Sequence, residues 1–306
     1  MIQTPARPIF VLGSLVAACC ARVARCPEPG ETLRATDFLL EPGGKGFNVA
    51  LAAHRLQVPV DGLFAVGDDL PGALMRASFA RLGLREEMIE TVGVPTGAGV
   101  GLIQADGENR IAVFPGANEA LTAAHVAARE HRLRDAAVVF AQFEVSDEPI
   151  AAAFALARAA GIATILNPSP YRPISPEILA ATDIMIVNEN EAAQLARDCD
   201  SPGSFDRLAA VLAPRTLIVT RGAQGALVWI EGEHRLEQPG LVVDVVDSIG
   251  AGDAFAGGVI AALARGLGLA TALQWGCGAG ALAVVQMGLI DALPDVPALD
   301  AVIRAA

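Results

Sequence analysis

The chain has 306 residues, of which 53% are hydrophobic and 5% aromatic, and a formal net charge of −12. That length fits one large α/β domain, or a domain with an appendage, with a sizeable core, and the acidic balance argues against a nucleic-acid partner, which would want a basic face. A small anionic ligand stays open, because one local positive site is enough on an acidic protein. Five cysteines, Cys19, Cys20, Cys26, Cys199 and Cys277, form no CxxC and are odd in number. They read as reduced thiols in a cytoplasmic protein, serving mainly as small buried hydrophobes.

Residues 9–21 are apolar, follow Arg7 and end near Val16-Ala17-Ala18-Cys19, which resembles a lipoprotein cleavage box. The charged region is thin and Gly13-Ser14 interrupts the run, so the first strand of a sheet explains it better. The strand itself is Ile9–Leu12, a short apolar run with a Gly-Ser stop. No segment is long and apolar enough for a transmembrane helix, and no membrane partner is expected. Residues 32–40 read as extended. Next comes Glu41-Pro42-Gly43-Gly44-Lys45-Gly46-Phe47-Asn48, followed by Val49, Ala52, Ala53 and Leu56 at helical spacing. This is a glycine-rich turn opening a helix, where the backbone can approach a ligand closely and Asn48 can hydrogen-bond a hydroxyl. It is not a Walker A loop, because Lys45 precedes Gly46 rather than Ser or Thr.

Residues 60–66 read as a strand, and Gly67-Asp68-Asp69 leads into a helix through Leu82. Residues 97–104 and 110–114 flank Asp106-Gly107-Glu108-Asn109, a hairpin turn. A hairpin is out of place in the main sheet of an alternating α/β chain, so it belongs to a small separate sheet, paired with 32–40. From Leu121 the alternation is regular: helices at 121–133, 148–160, 176–181 and 205–212, and strands at 137–141, 162–166, 184–187 and 216–220. This predicts a parallel sheet with crossover helices on both faces. Ligands of such sheets sit beyond the carboxyl ends of the strands, where Gln142, Glu144, Asn167, Asn188, Glu191, Thr220 and the Gly250 turn fall.

The last stretch, Val246 to Gly258, carries the most chemistry. Gly250, Ala251 and Gly252 are small, and Phe255, Val259, Ala262 and Leu263 recur at helical spacing behind them. The first amides of a helix have no internal partner and its dipole is positive there, so a glycine-rich turn opening a helix is a phosphate site. Asp253 lies in that first turn. An ionised carboxylate there can take the proton of a hydroxyl that attacks a phosphoryl group. Taken alone, the segment reads equally well as an ordinary helix start with an acid at the dipole.

Taken together, these residues resemble the PfkB (ribokinase-like) family of carbohydrate and nucleoside kinases. Gly43-Gly44-Lys45-Gly46-Phe47-Asn48 and the segment from Val246 to Phe255 match its two signature regions. Pro95-Thr96-Gly97, Gly116-Ala117-Asn118, Asn188-Glu189-Asn190-Glu191 and Thr220-Arg221-Gly222-Ala223-Gln224-Gly225 stand between them in the family's order. The resemblance spans the whole chain and is nearest to ribokinases. It implies a three-layer α/β/α ribokinase-like fold with a mostly parallel central sheet. It also implies one domain over 1–306, with a small β-sheet lid from about 15–42 and 95–116 and a homodimer formed through that lid.

The resemblance further implies an ATP-dependent sugar kinase using Mg²⁺. Asp253 would be the base, and Gly250, Ala251 and Gly252 the anion hole. Asn188 and Glu191 would act around the hydrated Mg²⁺ and the phosphates, although each also reads as a plain helix cap and first-turn acid. Thr220, Gly222 and Gly225 would line the nucleotide. Gly43, Gly44, Asn48 and Glu144 would hold the sugar. Asp247, the Ile249 carbonyl and carbonyls from 284–288, Gly288 among them, match a monovalent-cation (K⁺) site.

Ribokinases usually follow the first strand with Gly-Ser-x-Asn-x-Asp, whereas here the stretch is Gly13-Ser14-Leu15-Val16-Ala17-Ala18. Val16 and Ala18 offer no side-chain hydrogen bond to a sugar hydroxyl. The expected acceptor is therefore not plain ribose. Other acceptors within the family are a nucleoside or another small alcohol. A non-catalytic ligand-binding homologue would lack the use of Asp253, and a nicotinamide dehydrogenase would need a GxGxxG that Gly13-Ser14-Leu15 does not supply.

Overall fold

The computed structural model describes residues 7–104, 109–212 and 215–305. The apolar run at the amino end splits at Gly13-Ser14 into β1 (Ile9–Leu12) and β2 (Val16–Val23), which enter different sheets. Next come β3 (Asp37–Gly43), α1 (Lys45–Arg55), β4 (Val60–Gly67), α2 (Leu70–Arg81) and β5 (Ile89–Val92). A hairpin of β6 (Gly97–Gln104) and β7 (Asn109–Phe114) follows. Its turn, Asp106-Gly107-Glu108, lies outside the described residues.

The helix expected over 121–133 is two short ones, α3 (Ala123–Ala127) and α4 (Glu130–Arg134). The break falls at Arg129, whose guanidinium is held by Glu90 of β5 at 2.7 Å. The regular alternation then runs β8 (Val138–Gln142), α5 (Asp147–Ala159), β9 (Ala163–Asn167), α6 (Pro176–Ala180) and β10 (Ile184–Asn188). It continues through α7 (Glu189–Asp198), α8 (Phe205–Val211) and β11 (Thr216–Thr220). The chain ends with β12 (Ala226–Ile230), β13 (Glu233–Gln238), α9 (Ala251–Ala264), α10 (Leu269–Ala283), α11 (Leu289–Ala292) and α12 (Val296–Ala305).

Among the described residues the main sheet has nine strands in the order β13-β12-β11-β10-β9-β8-β1-β4-β5. All its pairings are parallel except β11 with β12 and β12 with β13. A hairpin therefore does enter the main sheet, at its edge, through the turn Glu231-Gly232 with φ of 51° and 80°. That is the left-handed pair a two-residue hairpin turn requires. Strands buried on both faces alternate between two cores. Ile9 and Val11 join Phe47, Phe64 and Phe79 on one side, while Phe10 and Leu12 join Phe143 and Phe154 on the other.

The second sheet has the order β3-β2-β6-β7. The hairpin thus does not pair with the 32–40 segment as expected. The strand there is Asp37–Gly43, and β2 lies between it and the hairpin, antiparallel to β3 and parallel to β6. The short apolar residues of β2 hid this second strand inside what reads as one run. No described helix is long and apolar enough to cross a membrane.

Candidate active site

Two glycine turns set the site. Gly44 caps α1 with φ of 104°, and a side chain there would sit 2.8 Å from the Ser14 carbonyl oxygen. Gly250 caps α9 in the left-handed region, φ 76°. Both conformations favour glycine. Among the described residues the backbone amides of Gly252 and Asp253 find no acceptor, whereas Ala251 N donates to Ser248 O at 3.4 Å and Ala254 N to Gly250 O at 2.9 Å. These are the orphan donors of a helix start, with the positive end of the dipole behind them. A side chain added at Gly252 would meet nothing within 4 Å, so the turn faces open space.

That space is a cleft of about 330 Å³ lined in part by Thr220, Gly222, Gly225, Ala251 and Gly252. The three residues assigned to the nucleotide and two of the three assigned to the anion hole thus share one cleft. Leu241, Val242, Val243 and Val245 give it an apolar wall. Thr220 is in register with Asn188 on the neighbouring strand, and its hydroxyl donates to Val187 O at 3.3 Å. Asn188 and Glu191 form a complete capping box on α7: Asn188 Oδ1 accepts from Glu191 N and Glu191 Oε2 from Asn188 N, both at 2.9 Å. The plain structural role is therefore present, and it holds the Glu191 carboxyl, 8% exposed, at the carboxyl edge of the sheet.

Asp253 is 6% exposed. Its Oδ2 accepts from Asn48 Nδ2 at 2.7 Å, and Lys45 Nζ lies 3.9 Å from Oδ1. Burial is the largest influence and pushes its pKa above the ordinary carboxylate value. Lys45 and the Asn48 hydrogen bond oppose that rise, while Glu144 and Glu191 add to it. The position alone suggested an ionised first-turn acid; the structure gives a desolvated one with raised basicity, held beside an ammonium. The Lys45 pKa is raised in turn, first by Asp253. Asn48 Oδ1 is buried and has no hydrogen-bond partner. An orphaned acceptor beside Asp253 costs free energy until a donor arrives.

Glu144 is tied into a hydrogen-bond network at the foot of the site. Its Oε2 accepts from the Ser14 hydroxyl at 2.5 Å and from Lys45 N at 2.9 Å. Ser14 Oγ also accepts from Gln142 Nε2 at 3.0 Å and Gly46 N at 3.3 Å. This network welds β1, β8 and the start of α1 together beneath Gly43 and Gly44. Ser14 and Lys45 were not among the residues singled out from sequence. A signal for Lys45 was there, since it is the single lysine among 22 Lys and Arg residues.

The residues assigned to a monovalent cation are only partly brought together. Asp247 Oδ1 accepts from Ile249 N at 3.0 Å. Val246 N and Asp247 N both donate to Val284 O, at 2.7 and 3.2 Å, so the two loops meet but that carbonyl has both lone pairs in use. Gly288 O accepts from Ala292 N at 3.3 Å. The Asp247 carboxylate and the Ile249 carbonyl keep free oxygen valence, which suits a hard cation in part only.

Known proteins resemble this chain over nearly its whole length. The family model described as "pfkB family carbohydrate kinase" matches residues 6–296. The ribokinase of Haemophilus influenzae is 31% identical, the alignment covering 94% of this chain and 95% of that protein. The deoxyribokinase of Salmonella typhi is 31% identical over 81% of this chain and 83% of its own length. The structure of Arabidopsis thaliana ribokinase complexed with ribose and ATP superposes with a TM-score of 0.89 at 28% identity, covering 98% of this chain and 99% of that one. With its paired sheets, its two glycine turns and Asp253 between them, the chain belongs to the pfkB family of carbohydrate kinases.

Proposed function

We propose that this kinase transfers the γ-phosphoryl group of ATP to the primary hydroxyl of a sugar other than plain ribose. The observation that carries the reading is the pairing of orphan amides at Gly252 and Asp253 with a buried, basic Asp253 carboxylate. The amides stabilise charge on the phosphoryl oxygens, and Asp253 accepts the hydroxyl proton as the oxygen attacks. Lys45 keeps the carboxylate anionic until then, and Asn48 orients it through Nδ2 while offering its free Oδ1 to a second hydroxyl. Thr220, Gly222 and Gly225 hold the nucleotide, and Gly43, Gly44, Asn48 and Glu144 the sugar.

Mg²⁺, when bound, neutralises phosphate charge. Glu191, with one carboxyl oxygen not used by the capping box, and Asn188 are hard-oxygen groups suited to hold it through water. A K⁺ site would use Asp247, Ile249 and Gly288, with Val284 already engaged.

Val16 and Ala18 lie on one face of the lid and offer no polar atom beyond the backbone. That supports an acceptor with fewer hydroxyls at that end, such as a deoxysugar. An acceptor panel of ribose, 2-deoxyribose, other pentoses and nucleosides, read by ADP release with and without K⁺, tests this. Ribose is expected to be outperformed, and ribose as the best acceptor would refute it.

The opposite face of the lid exposes Phe38, Leu40, Val100 and Phe114. An apolar face of that kind supports a homodimer through the lid. Sedimentation at twice the 31.5 kDa chain mass is the expected outcome, and a monomer at micromolar concentration would contradict it. Five free thiols are compatible with a reducing, cytoplasmic setting.

A further inference from the structure

Residues in register across a sheet share a face, and successive residues of a strand alternate between faces. In the lid, Val16 stands opposite Gly43, and Ala18 opposite Glu41 on β3 and Gly99 on β6. Val16, Ala18, Glu41 and Gly43 therefore share one face. The same face carries Cys20 and Arg22 further along β2. Arg22 reaches Met287 Sδ at 2.6 Å, and the Cys20 thiol, its pKa raised first by burial and then by Cys19, also feels the charges of Glu41 and Asp247. This face is thus turned toward the loops that hold Asp247 and Met287 at the carboxyl end of the main sheet. Gly43, two residues beyond Glu41 on the same side, leads into the Gly44 turn.

Near that turn the face is otherwise bare: Val16, Ala18, Gly43, Gly97, Gly99 and Val113 supply no hydrogen-bonding side chain. Glu41 is half-buried, and among the described residues its carboxylate makes no hydrogen bond or ion pair. Burial and the charge of Asp291 push its pKa up, with Arg81 opposing. A half-buried carboxylate without a partner is costly, and a ligand hydroxyl would relieve that cost. We propose that Glu41 is a specificity-determining residue that accepts a hydrogen bond from a sugar hydroxyl, reaching across one strand into the space beside Ala18. The proposal rests on the sugar-kinase reading above. It adds that the lid makes one polar contact, at the Glu41 side, and an apolar one at Val16. The acceptor should accordingly keep a hydroxyl at the first place and need none at the second.

The test is steady-state kinetics with D-ribose and 2-deoxy-D-ribose as probes, on wild type, Glu41→Gln, Glu41→Ala and the double variant Glu41→Ala/Ala18→Asp. In the double variant the carboxylate is moved across the strand pair without adding a charge. Glu41→Ala is expected to raise KM for the preferred sugar about tenfold or more, while KM for ATP moves by less than about twofold. Glu41→Gln, which keeps one acceptor oxygen, should fall between the two. The double variant should recover most of the lost sugar affinity. A role confined to lid stability would shift the thermal midpoint and both KM values together, and would gain nothing from Ala18→Asp. If wild type releases ADP with sugar but Glu41→Ala leaves the sugar KM unchanged, this proposal alone falls. If wild type releases no ADP with any sugar, the kinase reading falls and takes this proposal with it.

Discussion

At the scale of single residues, the chemistry turns on a carboxylate kept in an unfavourable place. Asp253 is buried, which raises its pKa, and Lys45 beside it is the strongest influence in the other direction. Removing the ammonium removes the main stabilisation of the anion, so the pKa should rise further. Because the base must be unprotonated, the acid limb of the kcat/KM profile should move to higher pH in Lys45→Met. A limb that stays put or moves down would show that Asp253 is not the titrating base, or that Lys45 does not govern it. Asp253 was legible in the sequence because a glycine-rich helix start announces itself locally. Lys45 was less so, since its task depends on a carboxylate 208 positions away that only the fold brings near. The clue was compositional: a chain that uses Arg everywhere else has its compact, point-charge ammonium here.

At the scale of elements, the site depends on backbone approaching backbone. α1 starts so close to the end of β1 that a side chain at Gly46 would sit 2.3 Å from Gly13 Cα and 2.6 Å from Ser14 N. Neither atom is the tip of a flexible side chain, so the helix must move. Gly46→Ala should lower stability by about 1–3 kcal/mol in denaturant unfolding and raise the sugar KM, because the Ser14–Glu144–Lys45 network shifts with it. Unchanged stability would mean the two elements are less tightly joined than described. The glycines were readable as a turn that something approaches closely, but the sequence did not say that the something is another segment of the same chain. The capping box at Asn188 and Glu191 carries a related lesson. The motif Asn-Glu-Asn-Glu supports two explanations, and the geometry shows that the structural one holds without displacing the other.

For the whole molecule, the parallel alternation from β8 to β11 was legible because each buried strand is a compact apolar run between amphipathic helices. Elements that broke the pattern were missed for physical reasons. β2 shares its small apolar residues with the run that includes β1, and only pairing separates them. The edge hairpin of β12 and β13 turns on Glu231-Gly232, whose Glu is not the Asn or Asp that marks such a turn in a sequence. The face of the smaller sheet that carries Val16, Ala18 and Glu41 depends on a register no local pattern encodes. β2 starts just beyond the carboxyl end of β1 and β3 leads into the Gly44 turn, so the smaller sheet springs from the carboxyl edge of the main one, where Asn48 and Lys45 approach Asp253. The most direct test of that arrangement is sugar-dependent ADP release by Asp253→Asn, a nearly isosteric change that keeps the fold and the bound ligands. The expected result is a fall in kcat/KM of at least about 100-fold with the affinities for ATP and sugar retained. ADP release at the wild-type rate in Asp253→Asn would contradict it.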